Sequence, residues 1–247
     1  MKKEFNWQDT SGDIKIDVDD LIFMKTPLTD QHSLAEKIKN AGAKLCITGI
    51  HDDVMTLIYT ERQLHLPSIE HAKYVRLSLS PLCEIMAFLD EGQQMPGNND
   101  YKEFLLNMDV SSYDKLNYWF ICCYLMGSKR DDYEELLAYI RRQESYFLTS
   151  YLIKNRCSHE KIHTLCERYG LSYSYFRKIS KKYLGVSAKT KMSEWRMAQT
   201  ILDILENDSS ITDIALKNGY SSSAHVCSTF KSVLGLSPYA IRKINGK

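Results

Sequence analysis

The sequence predicts an α+β chain in two parts. A β-rich N-terminal domain that also carries helices precedes an all-α C-terminal domain with two helix-turn-helix units joined by a long helix. Three observations lead there. Residues 13 to about 79 hold short runs of the period-two kind. From Ser80-Pro81 onward the apolar spacing turns helical. The last third of the chain contains an internal repeat.

Length and composition set the frame. The 247 residues are 44% hydrophobic and 26% charged, ordinary for a globular protein and enough to bury a core in each part. Charge is divided unevenly. Residues 151–247 carry 16 Lys and Arg against 7 Asp and Glu, while residues 1–150 carry 16 against 24. A basic half joined to an acidic half suggests a polyanion as partner of the basic half.

Ile14-Lys15-Ile16-Asp17-Val18 alternates as a half-buried strand does. Lys44–Ile50, Val54–Tyr59, Gln63–Leu66 and Tyr74–Ser78 are further strand candidates, and Ser33–Asn40 is open between a helix and an irregular excursion. Ser80 is placed to cap a helix with Pro81 in its first turn. Helices are then expected over Leu82–Glu91, Tyr101–Met108, Tyr113–Met126 and from Tyr133 to about Asn155, with a loop at Gly92–Asn99. The polar run Gly127–Asp132 reads as the boundary, giving domains at 1–130 and 138–247. The seven cysteines form no Cys-x-x-Cys pair and mostly lie in apolar runs. Their odd number and the absence of a secretory signal point to the reducing cytoplasm. The most apolar stretch, Tyr118–Met126, is too short to span a membrane, so no membrane association is expected.

The repeat carries the function. Gly170-Leu171-Ser172 recurs 49 residues later as Gly219-Tyr220-Ser221, and Lys181, Leu184, Gly185 and Ser187 recur 50 later as Lys231, Leu234, Gly235 and Ser237. In the first unit Ile162–Tyr169 has a helical apolar stripe, Gly170 stops it, Ser172 caps the next helix, and Tyr173–Leu184 buries Phe176, Ile179 and Tyr183. Its outer face carries Ser174, Arg177, Lys178, Lys181 and Lys182. The second unit repeats the plan with Ile211–Asn218, Gly219 and a helix over Ala224–Leu234 opened by Ser221–Ser223. A helix, a glycine turn and a helix with a basic outer face make the helix-turn-helix design, whose second helix enters the major groove. Two such units on one basic domain point to duplex DNA. Between them, Ser187–Glu206 reads as one amphipathic helix with Met192, Trp195, Ala198, Ile201, Leu202 and Leu205 inward. It would be roughly 30 Å long, close to the ~34 Å turn of the duplex. It can therefore hold two recognition helices in successive major grooves.

These residues resemble the AraC/XylS family of transcription regulators. The likeness rests on Tyr169-Gly170-Leu171-Ser172, Trp195-Arg196-Met197-Ala198, Ile211-Thr212-Asp213-Ile214-Ala215, Asn218-Gly219-Tyr220-Ser221 and Phe230-Lys231 with Leu234-Gly235-Leu236-Ser237-Pro238, and covers about residues 145–245. Within it, Glu144–Leu148 and Trp195–Gln199 resemble the InvF/MxiE branch, activators of type III secretion and virulence genes.

The resemblance implies a partial β-barrel with helices for dimerisation in the N-terminal regulatory domain, and Tyr113–Met126 is the helix expected to pair two copies. It implies promoter DNA and RNA polymerase as partners. The activating signal is left open between a type III secretion chaperone acting as co-activator and a small metabolite held in the barrel. Carried over by position, Ser174, Arg177 and Lys178 would face base edges in the first unit. Arg177 suits guanine, because its fork pairs with O6 and N7. The matching positions of the second unit are Ser223, Ala224, Cys227 and Ser228, with Ser223 and Ser228 the candidate base contacts. Lys181, Lys182 and Lys231 suit phosphates. Ala224 stands where the family usually has a polar residue, Ser228 where a basic one is common, and Val226 replaces an aromatic. The second helix is therefore expected to contribute shape and backbone contact more than base reading.

One enzymatic motif competes. His159-Glu160-Lys161-Ile162-His163 matches the H-E-x-x-H pattern of zinc proteases. Ser158 reads as a helix cap, which leaves His159 at a frayed end, and Cys166 occupies the glycine position of the extended motif. No glycine-rich phosphate loop, nucleophile elbow or calcium loop is present. No catalytic residue, metal or cofactor is expected, and the chain reads as a regulator rather than an enzyme.

Overall fold

Antiparallel pairing organises the N-terminal part. The computed structural model describes residues 4–50, 53–92 and 110–244. Strands run over Gln8–Asp9 (β1), Ile14–Ile16 (β2), Asp20–Pro27 (β3), Lys44–Ile50 (β4), Asp53–Tyr59 (β5), Leu64–Leu66 (β6) and Lys73–Ser78 (β7). They form an open five-stranded sheet in the order β1-β7-β3-β5-β4 and a separate β2-β6 pair. Among the described residues the barrel is not closed.

β3, for which no strand is expected from the sequence, is the centre of the sheet, paired with β5 on one side and β7 on the other. Leu21 and Phe23 face one core while Ile22 and Met24 face another, so all four are buried. A strand covered on both faces has no polar alternation to betray it.

The second core lies where a barrel lumen would be. Ile14 and Ile16 from β2, Ile22 and Met24 from β3, Ile58 from β5 and Leu66 from β6 meet Leu34 and Ile38 of the helix Gln31–Ala41 (α1). The segment 33–40 is thus helical, and Gly42 ends it with φ +80°. The opposite face of the sheet is covered by Ser80–Gly92 (α2), Tyr113–Leu125 (α3) and Asp131–Arg141 (α4). Trp119 and Phe120 of α3 are fully buried there, with Tyr133 of α4 edge-on to both. Asp90, near the end of α2, accepts from Arg141 Nε at 3.0 Å and Nη2 at 2.7 Å, from Tyr124 Oη at 2.9 Å and from Tyr146 Oη at 2.7 Å. Burial alone would raise its carboxyl, but Arg141 and the two tyrosines hold it below the ordinary value.

The sequence places a boundary at 127–132, but the two compact units are Met1–Phe147 and Leu148–Lys247. The polar run at 127–132 lies inside the first unit. Asp132 accepts from the Ile47 amide at 2.9 Å, Arg130 Nη2 donates to the Ile47 carbonyl at 2.6 Å, and Arg130 Nε donates to Asp132 at 3.1 Å. These bonds satisfy the irregular stretch of β4 between Ile47 and Gly49 and dock α4 on the sheet edge. The helix expected from Tyr133 to Asn155 is two helices, α4 and Glu144–Lys154 (α5), separated at Arg142 and Gln143. The expected helix Tyr101–Met108 and most of the loop Gly92–Asn99 lie outside the described residues.

The C-terminal unit is helical throughout: Ile162–Tyr169 (α6), Tyr173–Leu184 (α7), Ala188–Glu206 (α8), Ile211–Lys217 (α9), Ser223–Leu234 (α10) and Pro238–Ile244 (α11). Among the described residues no helix is long and apolar enough to cross a membrane. All seven cysteines are free, and five are buried. Burial pushes the Cys83 and Cys123 thiols up to about 12.

Candidate nucleic-acid interface

The first helix-turn-helix is built as its sequence implies. Leu165 and Cys166 are the buried residues of α6. Gly170 takes φ +84°, and the Leu171 amide returns to the Cys166 carbonyl at 3.1 Å. Only a residue at ease with positive φ closes this turn without strain. Ser172 caps α7 by accepting from the Tyr175 amide at 3.3 Å. Phe176, Ile179, Ser180 and Tyr183 turn inward.

The spacing i, i+3, i+4, i+7 puts Ser174, Arg177, Lys178 and Lys181 on the opposite face, all exposed. They line a shallow groove with Tyr173 and Lys182. Arg177, Lys178 and Lys181 make no ion pair with any described residue, so their charges face outward. Lys182 differs, because its Nζ lies 3.0 Å from Tyr183 Oη and 4.5 Å above that ring. Tyr173 and Tyr175, nearly half exposed, flank the basic face. Sequence reasoning passed over both. In the sequence Tyr173 marks only the start of the helix, although two tyrosines at the mouth of a basic helix form a recognisable pattern.

The second unit keeps the frame and changes the surface. Ser210 caps α9 by accepting from the Asp213 amide at 3.1 Å. Gly219 takes φ +73°, and Ser222 caps α10 by accepting from the His225 amide at 3.2 Å. Val226 and Phe230 are fully buried among Ile204, Ile214 and Tyr220. Val226 therefore belongs to the core rather than the reading surface. Ala224, Ser228 and Lys231 are exposed, and Ser223 and Cys227 half-buried. Leu216, one of the apolar residues of α9, points outward at 55% exposure. His225, unremarked in the sequence, lies exposed at the head of the helix with Nδ1 3.1 Å from Ser221 Oγ.

The connector α8 spans 19 residues, about 28 Å. Its apolar stripe is not the single one expected, since Ala198 is exposed and Leu202 is 49% exposed. Instead, Ala188, Met192 and Trp195 are buried in its first half and Thr200, Asp203 and Ile204 in its second. The two stripes are offset by about 100° around the axis. One helix thus serves two small cores in succession. Asp203 accepts from Asn218 Nδ2 at 2.6 Å and from Lys217 Nζ at 3.1 Å, which ties α8 to α9. Burial would raise its carboxyl, but Asn218, Lys217 and Gln199 hold it below the ordinary range.

Between the two units lies a cleft of about 650 Å³ whose rim includes Lys161, Lys189, Ser193, Ser221 and His225. Sequence reasoning missed this group because its members come from separate segments. The only signal was the spacing of Lys189, Ser193 and Arg196, which share a face of α8.

The protease-like motif comes apart. α6 starts only at Ile162, with Lys161 rather than Ser158 at the N-cap position and no side-chain cap, so His159 precedes the helix and shares no helical face with His163. Glu160 pairs with Arg168, and His163 Nδ1 lies 3.3 Å from Glu167. Among the described residues no three His, Cys, Asp or Glu are grouped to hold a metal ion.

Comparison with known proteins agrees with this geometry. A helix-turn-helix domain family matches residues 165–244. The invasion protein InvF of Salmonella typhi and Salmonella typhimurium is 30% identical over 196 residues, 76% of this chain and 89% of the relative. The transcriptional regulator MxiE of Shigella flexneri is 36% identical over 120 residues, 45% of this chain and 57% of the relative. Among solved structures, an AraC-type transcriptional regulator from Chromobacterium violaceum aligns with a TM-score of 0.37 at 22% identity, covering 40% of this chain and 89% of that one. The tandem units, their connector and the extent of the InvF match lead to one conclusion: the chain belongs to the AraC/XylS family of DNA-binding transcription regulators, in the branch that includes InvF and MxiE.

Proposed function

We propose that this regulator activates promoters of type III secretion and virulence genes, reading DNA mainly through α7. The observation that carries the reading is the exposed, outward face of Ser174, Arg177, Lys178 and Lys181, opposite a buried core on a well-capped helix. Arg177 pairs with a guanine edge, with Ser174 and Lys178 beside it. Lys181 and Lys182 hold phosphates. In the second unit Ser223 and Ser228 face bases weakly and Lys231 holds a phosphate. Lys161, Lys189 and His225 on the cleft rim add contacts to the backbone that crosses between the two grooves. The chain acts in the cytoplasm, and RNA polymerase is recruited to the bound promoter.

The signal is a protein co-activator of the secretion-chaperone kind rather than a metabolite. The volume a lumenal ligand would need is taken by Ile16, Ile22, Met24, Ile58 and Leu66, all at 0% exposure. Two copies pair through α3, whose Tyr118 and Leu125 are 59% and 50% exposed. Footprinting of the chain on the promoters beside its own gene tests the reading. Protection of two successive major grooves on one face of the duplex supports it, and no protection, with or without a co-expressed chaperone, contradicts it.

A further inference from the structure

Arg196 sits midway along α8, between the two buried stripes, and its guanidinium spans segments from both helix-turn-helix units. Nε donates to the Arg156 carbonyl at 2.8 Å and Nη2 to the Ser158 carbonyl at 3.3 Å, both in the loop that leads into α6. Nη1 donates to the Gly219 carbonyl at 3.2 Å, and the group lies 5.7 Å from the centre of the Tyr220 ring, both in the turn of the second unit. The same loop touches the same turn directly. A Cβ built on Gly219 would fall 2.9 Å from the Cys157 carbonyl carbon and nearer still to its oxygen. The turn glycine of the first unit has nothing within 4 Å of the equivalent point.

A guanidinium is a rigid plane with five donors in fixed directions. Placed between three carbonyls from two units, it fixes distance and angle together. A lysine ammonium at the end of a flexible stem would make one of these bonds at a time.

We propose that Arg196 is a positioning residue that locks the two recognition helices at one spacing, and so sets which half-site separation the protein accepts. The inference rests on the reading that both units engage DNA at once. α8 alone fixes how far apart the units lie along its axis. Their rotation about that axis rests on a separate small core for each unit, with no coupling between the two cores through side chains on those stripes. Arg196 and the Gly219–Cys157 contact join the units across the helix and supply that coupling.

The test has two arms, both on the full chain. In the first, spin labels at positions 174 and 228, with Cys157 and Cys227 replaced by serine, report the distance between α7 and α10 by double electron–electron resonance without DNA. A single narrow distribution is expected, at least twofold broader in Arg196→Gln and intermediate in Arg196→Lys. An unchanged width in Arg196→Gln, with its helical circular dichroism intact, overturns the proposal. Should Arg196→Gln fail to fold, Gly219→Asn replaces it. Asparagine accepts the left-handed backbone but brings a Cβ against Cys157, so the mean distance should shift there and stay put in Gly170→Asn. Equal distances in both variants overturn the proposal.

In the second arm, a duplex selected from a random library by the wild-type chain receives one extra base pair between its half-sites. Wild type should lose at least tenfold in affinity and Arg196→Gln less than threefold. An equal loss in both overturns the proposal. If the wild type selects only a single half-site, the two-groove reading fails, and the spin-label arm still decides whether Arg196 locks the units.

Discussion

The two helix-turn-helix units share a plan and differ in what surrounds it. In the first, the turn glycine stands in open space and the recognition helix presents arginine and lysines to solvent. In the second, the turn glycine is pressed against the Cys157 backbone, the preceding Asn218 is buried against Asp203, and the outer face holds alanine and serine. One copy of the motif keeps a basic outer face, the surface proposed to read DNA. The other uses its turn residues for contacts with the connector. A repeat in sequence thus need not be a repeat in role.

The difference is sharpest at the glycines. Gly170→Ala should lower stability by about 1–2 kcal/mol, the cost of a left-handed backbone with a Cβ. Gly219→Ala adds an overlap with the Cys157 carbonyl and should cost more than about 3 kcal/mol. Urea melts of the two variants check the ratio, and equal midpoints would erase the proposed distinction between the turns.

Asp203 ties the turn of the second unit to the connector. Asp203→Ala strips partners from the buried Asn218 amide and from Lys217, and should destabilise the second unit by about 1–3 kcal/mol. The interaction also gives a pH signature. The folded carboxyl titrates below the ordinary 3.8. Its stabilisation is therefore present above that value and fades as pH falls through the folded pKa. Acid melts followed by amide exchange on α9 should show loss below about pH 4, flattened in Asp203→Asn. Asp90 has the same sign in the N-terminal unit, so the two variants must be compared within their own units.

On DNA the asymmetry reverses. Arg177→Ala should cost about 1–3 kcal/mol on the selected site and relax preference at one base pair, whereas Lys181→Ala should weaken all sequences alike and lower the salt slope by about 1. Ser228→Ala, on the second helix, should change affinity by less than about 0.5 kcal/mol. Titrations at two salt concentrations separate these cases.

Much of the C-terminal unit was legible because its signals are local. Gly170, Ser172 and the 176–179–183 stripe lie within about four turns of helix, and the resemblance includes Gly170 and Ser172. The connector was legible in length but not in packing. A stripe that changes face where the helix passes from one core to another does not repeat at a constant period, and Ala198 and Leu202 were misassigned for that reason. In the N-terminal unit β3 was hidden because both its faces are buried, leaving Leu21–Met24 without alternation. The run at 127–132 read as a boundary because its polarity serves a distant partner, the irregular edge of β4. Arg196 was visible only as part of a motif, since its acceptors are backbone carbonyls some 23 to 40 residues away in the chain.

The division of labour between the two units is tested most directly by one measurement. The affinity of the full chain is determined for every single-base change across its selected site, for wild type and for Arg177→Ala. Discrimination should concentrate in the half-site under α7 and shrink at one position in the variant. Equal discrimination in both half-sites, or a uniform loss on every sequence in Arg177→Ala, would contradict it.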